Sequence, residues 1–266
     1  MIIVTILNFN GKDSLKASID SVLKQSHPPD KFHVIDNAST DNSRQIAVGM
    51  NIDVIDADNK HKFITGLNTA MKLNEDILFF MQNDVVLDKC CLKRMIKNVP
   101  ENLTFIAQPV IYEPSGIIDN SGMDYKWPGY GERRKTEWWN KGTEYQNCGL
   151  VTTICFMTNI KDVFWDELFS PAYYEDIDFY LRTKHDVSHI LIPSAKVTHT
   201  GNHTFSQSYR KLEISRICRA NRKKLIRKHY GGIDRFIRLS VTACFNVMKE
   251  TIDVIRDRWI SFNEKK

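Results

Sequence analysis

Tyr173-Tyr174-Glu175-Asp176-Ile177-Asp178 sets three carboxylates within four residues, among aromatic and apolar side chains. Like charges that close are costly unless a metal, a cation or a proton offsets them. A folded chain that keeps them has chemistry to do there. Far upstream, Ile77-Leu78-Phe79-Phe80-Met81 is an apolar run that breaks abruptly into Gln82-Asn83-Asp84. The two stretches together predict a buried strand delivering one acid to a pocket, with the acidic cluster facing it. Carboxylates so placed can carry protons or hold a hard cation through oxygen. His199 and His203 have i, i+4 spacing, but Gly201 between them argues against a helical zinc pair.

The elements that must position these groups can be read from the apolar pattern. Residues 2–7 form a β-branched run expected of a strand buried on both faces. Asp13 or Ser14 is placed to cap a helix carrying Leu15, Ile19, Val22 and Leu23, closed by Pro28-Pro29. Strands are expected at 32–35, 52–55 and 77–81, and helices from Asn42, around 66–73 and over 92–98. Residues 107–150, rich in Gly, Pro and aromatics, read as loops and short antiparallel strands over the pocket mouth. Helical periodicity returns over 209–230 and 233–262. Alternating short strands and helices predict an α/β fold with an open, mainly parallel sheet. Such sheets bind ligands beyond the carboxyl ends of their strands, where Asn8, Asp36 and Asp84 all fall.

The chain has 266 residues, 42% hydrophobic and 26% charged, the composition of an ordinary globule rather than of a disordered chain. Its net charge of +5 hides an asymmetry. From Phe205 to Lys266 there are 16 Lys/Arg against 6 Asp/Glu, a net of +10, so the preceding part carries −5. This split predicts a body at 1–204 and a basic helical extension at 205–266. The six cysteines show no CxxC spacing, so reduced thiols are expected. The N-terminus runs straight into a strand without a basic leader, and no stretch of ~18 apolar residues predicts a membrane span.

Val4-Thr5-Ile6-Leu7-Asn8-Phe9-Asn10-Gly11 resembles the strand and N-(Y/F)-N turn that open family 2 glycosyltransferases of the GT-A fold. Val34-Ile35-Asp36-Asn37-Ala38-Ser39-Thr40-Asp41 is similar to that family's VDNASTDGS element. Met81-Gln82-Asn83-Asp84 occupies the place of its DXD motif, Glu175-Asp176-Ile177-Asp178 matches its EDVD, and Val197-Thr198-His199 resembles the histidine that follows. The match keeps family order and spacing over residues 2–230, and the subgroup it most resembles is the rhamnosyltransferase-like branch. The resemblance implies a GT-A domain, a Rossmann-like open mixed sheet flanked by helices. It also implies inverting transfer of one sugar from a nucleotide-diphosphate donor, dTDP-rhamnose or a UDP-sugar. The acceptor would be a saccharide or lipid-linked saccharide, in surface polysaccharide synthesis. Asp176 would be the general base, and Asp84 and His199 would ligate Mn2+ or Mg2+. Asn8, Asn10, Asp36, Asn37, Lys62, Asn68 and Asn83 would line the donor, and Glu175, Asp178 and Trp138 the acceptor.

Departures from the pattern keep other readings open. Gln82 replaces the first acid of the DXD motif, and Lys62 stands where the family's 59–68 loop has glycine. A catalytically impaired nucleotide-sugar-binding protein is therefore the alternative. The processive synthases' Q-x-x-R-W is missing, which favours single-sugar transfer. Asp36 can equally cap the helix after its strand, and Trp127, Trp138 and Trp139 can stack on sugars or fill the core. Apolar residues among arginines in the tail (Ile233, Phe236, Ile237) suggest contact with an anionic membrane surface, so a cytoplasmic, peripheral location is expected. The acidic body gives no support to a nucleic-acid partner.

Overall fold

The computed structural model describes residues 1–57, 62–73, 76–201 and 211–244. The expectations for Asn59–His61, His203, 207–210 and 245–266 fall outside these residues. β1 (Ile2–Asn8), buried throughout, lies at the centre of the parallel part of the sheet. It pairs in parallel with β2 (Lys31–Asp36) on one side and β4 (Ile77–Gln82) on the other, and β2 pairs with β3 (Asp53–Asp56). β-branched and aromatic residues on both faces suit these strands to helices packed above and below.

α1 (Leu15–Leu23) and α2 (Ser43–Gly49) cover one face with α4 (Cys91–Asn98), burying Leu15, Ile19, Val22, Ala47, Leu92 and Met95. α3 (Phe63–Lys72), α5 (Glu175–Thr183) and α6 (Lys211–His229) contribute Ile64, Leu67, Ile177, Phe179 and Leu225 to the core on the other face. There Phe156 lies 5.0 Å from Phe80 and 5.3 Å from Trp165, which stacks on Phe179 at 4.2 Å. Each fully buried phenylalanine contributes about 1.5–3 kcal/mol of apolar burial. Ser14 stands at the expected cap position of α1, and the loop ending in Asp41 caps α2 as expected. Ser14 makes no side-chain bond to α1, whereas Asp41 accepts from the Ser43 N–H at 2.9 Å.

Beyond β4 the sheet becomes mixed, in the order β10-β12-β6-β11-β4-β1-β2-β3. The added strands are β6 (Phe105–Tyr112), β10 (Gln146–Asn147), β11 (Cys155–Thr158) and β12 (Ser188–His199). β5 (Val85–Leu87) pairs with β12, β7 (Ile118–Asn120) with β6, and β8 (Met123–Lys126) forms a separate hairpin with β9 (Tyr130–Arg133). The short antiparallel β7 to β10 match the expectation for 107–150, and its start is corrected, because 105–112 is a long buried strand inside the sheet. Its Pro109 lies opposite Ile192, where the β12 register slips between Ile192 and Lys196. A proline is tolerated at such an irregularity, where a ladder N–H is not required. The helical residues 232–244 follow α6, and no helix among the described residues is long and apolar enough to cross a membrane. None of the six cysteines is in a disulfide.

Candidate active site

A cleft of about 850 Å³ opens at the carboxyl ends of β1 and β4. One wall is made by Leu7, Phe9, Asn37, Gln82, Asn83 and Asp84, the other by Tyr130, Arg133, Tyr173, Glu175, Asp176 and Arg222. Asp84 and Asp176, far apart in sequence, therefore share one hollow.

The first wall is held from behind by a buried amide network. The Asn8 side-chain amide, fully buried, donates to Asp36 Oδ1 at 3.0 Å and to Ser43 Oγ at 2.9 Å. Asn8 Oδ1 in turn accepts from Asn83 Nδ2 at 2.9 Å, tying the end of β1 to the β4–β5 turn. Asp36 accepts from the Ser39 hydroxyl and N–H at 2.6 and 3.2 Å, so it braces the turn, and its neighbour Asn37 reaches the cleft. Asn10, at φ 50°, accepts from the Thr40 N–H at 2.8 Å and closes the same turn.

Asp84 sits between β4 and β5, and β5 pairs His199 with Val85, which brings the end of β12 beside it. Thr200 N–H and Oγ1 both donate to the Asp84 carbonyl, at 2.8 and 3.0 Å. His199 Nε2 lies 3.3 Å from Asp84 Oδ2, and its Nδ1 lies 3.5 Å from Asp119 Oδ2. Burial opposes a charged imidazole, but the hydrogen bonds to Asp119 and Asp84 outweigh it and raise the His199 pKa to about 9. The hydrogen bond from His199 leads the causes that hold Asp119 at about 2, with Arg133 adding to it. Asp84 Oδ1 is buried and has no hydrogen-bond partner. An orphaned carboxylate oxygen beside an imidazole suits a divalent cation. Among the described residues, however, no cluster of three His, Cys, Asp or Glu would hold one unaided. Asp84 and His199 alone would supply only two of a cation's ligands.

The opposite wall begins at the amino end of α5, where the helix dipole favours carboxylates. Glu175 is buried, its Oε1 accepting from Thr153 Oγ1 at 3.1 Å while Oε2 has no partner. Asp176 is half-buried and accepts from the Ile177 N–H at 2.8 Å. Burial raises both carboxyl pKa values, Glu175 further because the Asp176 charge adds to it. For Asp176, the Ile177 N–H and the Arg133 charge offset part of the rise.

α6 holds this wall in place. The Asn221 side-chain amide donates to the carbonyls of Phe169, Ala172 and Tyr173 at 2.7, 2.9 and 3.0 Å, along the segment that enters α5. Arg222 Nε donates to Tyr174 Oη at 2.8 Å. Arg222 and Cys218 line the cleft, so the basic extension expected to begin at 205 supplies part of the site.

Three expected contacts are not made here. Asp178 is fully buried, turned into ion pairs with Arg182, Lys228 and His229 at 2.9, 2.7 and 2.7 Å. Asn68 is engaged with the Trp165 backbone, donating to its carbonyl and accepting from its N–H, both at 2.9 Å. Trp138 donates to the Ser121 carbonyl at 2.8 Å beneath the Arg134 guanidinium. None of these three lines the cleft, and nor does exposed Lys62, although the adjacent Phe63 does. Tyr130, Arg133, Cys218 and Arg222 had no motif to mark them, because topology alone brings them together.

Residues 2–158 match the profile described as Glycosyl transferase family 2, more than half of the chain. With the sheet and cleft described above, this places the chain in that family of glycosyltransferases. No curated protein matches it by sequence. Among solved structures, GalNAc-T7 with UDP, GalNAc and Mn2+ superposes with a TM-score of 0.61 at 13% identity, over 75% of this chain and 44% of that one. S. aureus TarS superposes with a TM-score of 0.57 at 14% identity, over 87% of this chain and 40% of TarS. Residues 1–349 of TarS with UDP-GlcNAc give 0.54 at 16%, over 91% and 71%. At these identities the likeness is one of fold, and the chain spans less than half of the first two.

Proposed function

We propose that the chain is a metal-dependent, inverting transferase. It moves one sugar from a nucleotide-diphosphate donor to a hydroxyl of a saccharide or lipid-linked saccharide. The observation that carries this reading is the shared cleft of Asp84 and Asp176. Asn37, Asn83 and Phe9 line the nucleotide side, with Asn8, Asn10 and Asp36 bracing it from behind. Asp84, with His199 once it has given up its proton, would hold Mn2+ or Mg2+, and the cation would supply positive charge against the leaving diphosphate. Asp176, ionised, accepts the proton of the acceptor hydroxyl. The acceptor oxygen bonds to the anomeric carbon as the bond from that carbon to the phosphate oxygen breaks. The nucleoside diphosphate leaves with the electron pair, and a single displacement inverts the centre. Glu175, beside the base, shapes the acceptor seat.

UDP-sugars are supported as donors by the fold neighbours solved with UDP, UDP-GlcNAc and Mn2+. The rhamnosyltransferase-like motifs support dTDP-rhamnose. The helical residues 232–244 leave Ile233 79% and Phe236 71% exposed beside arginines, which supports peripheral docking on an anionic, cytoplasmic membrane face near a lipid-linked acceptor. Flotation with anionic vesicles should fall when both residues are changed to Glu, and equal flotation removes the docking. A second reading, donor binding without transfer, is favoured by Gln82, whose amide donates to the Thr153 carbonyl at 3.3 Å where an acid is usual.

One experiment separates the readings: thermal shifts for a panel of nucleotide sugars with and without Mn2+ or Mg2+, then turnover of the stabilising donor. Transfer or donor hydrolysis by the wild type is expected. Asp176→Asn should retain donor binding and lose about 10²–10⁴-fold in rate. Binding without turnover supports the second reading, and full turnover by Asp176→Asn takes the base role from Asp176.

A further inference from the structure

Arg222 differs from three other arginines of the fold. Arg133, Arg182 and Arg238 each face a carboxylate, at 3.0, 2.9 and 2.9 Å. Arg222 is half-buried and lines the cleft, yet no carboxylate among the described residues pairs with it. Its Nε is committed to Tyr174 Oη at 2.8 Å, and its guanidinium carbon lies 5.7 Å from the Tyr130 ring centre. A guanidinium drawn partly out of water without a counter-charge is costly. The two terminal nitrogens left over present the fork that matches a carboxylate or a phosphate.

The position of this group limits what the anion belongs to. Tyr174 directly precedes Glu175 and Asp176, and Tyr130, Tyr174 and Arg222 line the same cleft as these two acids. We infer that Arg222 reads a negatively charged group, phosphate or carboxylate, on the acceptor saccharide. Resting on the transferase reading above, this narrows the acceptor to anionic glycans or phosphorylated sugars. Arg133, already paired with Asp119, adds positive potential nearby without competing for the ligand. Asn221, one residue earlier on α6, fixes the helix against the loop and so sets where the fork stands.

The test is a binding comparison by isothermal titration of the full chain, with UDP and Mn2+ present. The probes are glucose, glucose 6-phosphate and glucuronate, against wild type, Arg222→Gln and Arg222→Lys. In the wild type at least one charged sugar should bind roughly tenfold or more tighter than glucose, and which one does so separates phosphate from carboxylate. Arg222→Gln should erase the preference and leave UDP affinity unchanged. Arg222→Lys, which keeps the charge but loses the Tyr174 bond, should retain part of it and guards against a folding artefact in the Gln variant. Equal affinities, no binding of any probe, or a preference that survives Arg222→Gln would overturn the assignment. A loss of UDP affinity in Arg222→Gln would overturn it too, because the arginine would then serve the donor diphosphate. Nucleotide-sugar turnover by the same wild-type sample keeps the two levels apart. Turnover without a charged preference sinks only this inference, whereas no turnover sinks the transferase reading beneath it.

Discussion

The wall carrying Asn37, Asn83 and Asp84 takes its residues from turns after β1, β2 and β4, three neighbouring parallel strands. The wall carrying Tyr130, Tyr173, Asp176 and Arg222 is gathered from a hairpin, a loop and helix and the C-terminal α6. Strand ends in a parallel sheet are placed by the ladder, and in the first wall the buried Asn8 amide network ties those ends to one another. The second is held by discrete side-chain bonds. These are the three from Asn221, Tyr125 to Tyr230 at 2.6 Å, and Arg238 to the Pro128 carbonyl at 3.1 Å. The difference implies that one half of the site rests on the sheet and one buried network together, while the other rests on side-chain bonds between separate elements.

The strongest challenge to this division is Asp84→Asn. It should leave the sheet intact, abolish any gain in donor affinity from Mn2+, and slow transfer on the order of a hundredfold. Unchanged metal dependence in titration calorimetry would remove Asp84 from the cation. Asn221→Ala should cost about 1–3 kcal/mol, because three carbonyls lose their donor. Its rate constant should fall while donor affinity holds, and if donor affinity drops in parallel the walls are not separable. The smallest effect belongs to Glu175→Gln. The Glu175 carboxyl pKa is raised on folding, so its contribution to stability is full below the ordinary value of 4.5 and is lost as pH rises through the raised one. Thermal melts across that range should fall less steeply in the Gln variant, and identical slopes would show that Glu175 is not buried as described.

The same contrast governs what could be read from the chain beforehand. β1, β2 and β4 announce themselves as apolar runs cut off by Asn8, Asp36 and Gln82, and their ends do border the cleft. β6 escaped notice because Pro109 argues against an interior strand, and only the β12 slip opposite it makes that proline tolerable. Asp178 shares a motif with Asp176, but on a helix two residues turn a side chain to another face, where Lys228 and His229 meet it. Arg222 could not be singled out among the many basic residues of the tail. Its meaning depends on contacts with Tyr174 and Tyr130 that no spacing encodes.

Tyr173 and Tyr174 adopt φ of 71° and 74°, a left-handed pair in side chains that resist it. Such residues cost roughly 1–3 kcal/mol each, and glycine in either place would relax the turn. That relief comes at the expense of an aromatic ring facing the cleft and, at Tyr174, of packing on the core and the hydroxyl that steers Arg222. Backbone ease and grip on the incoming sugar thus pull in opposite directions at these two tyrosines, and the chain keeps the rings.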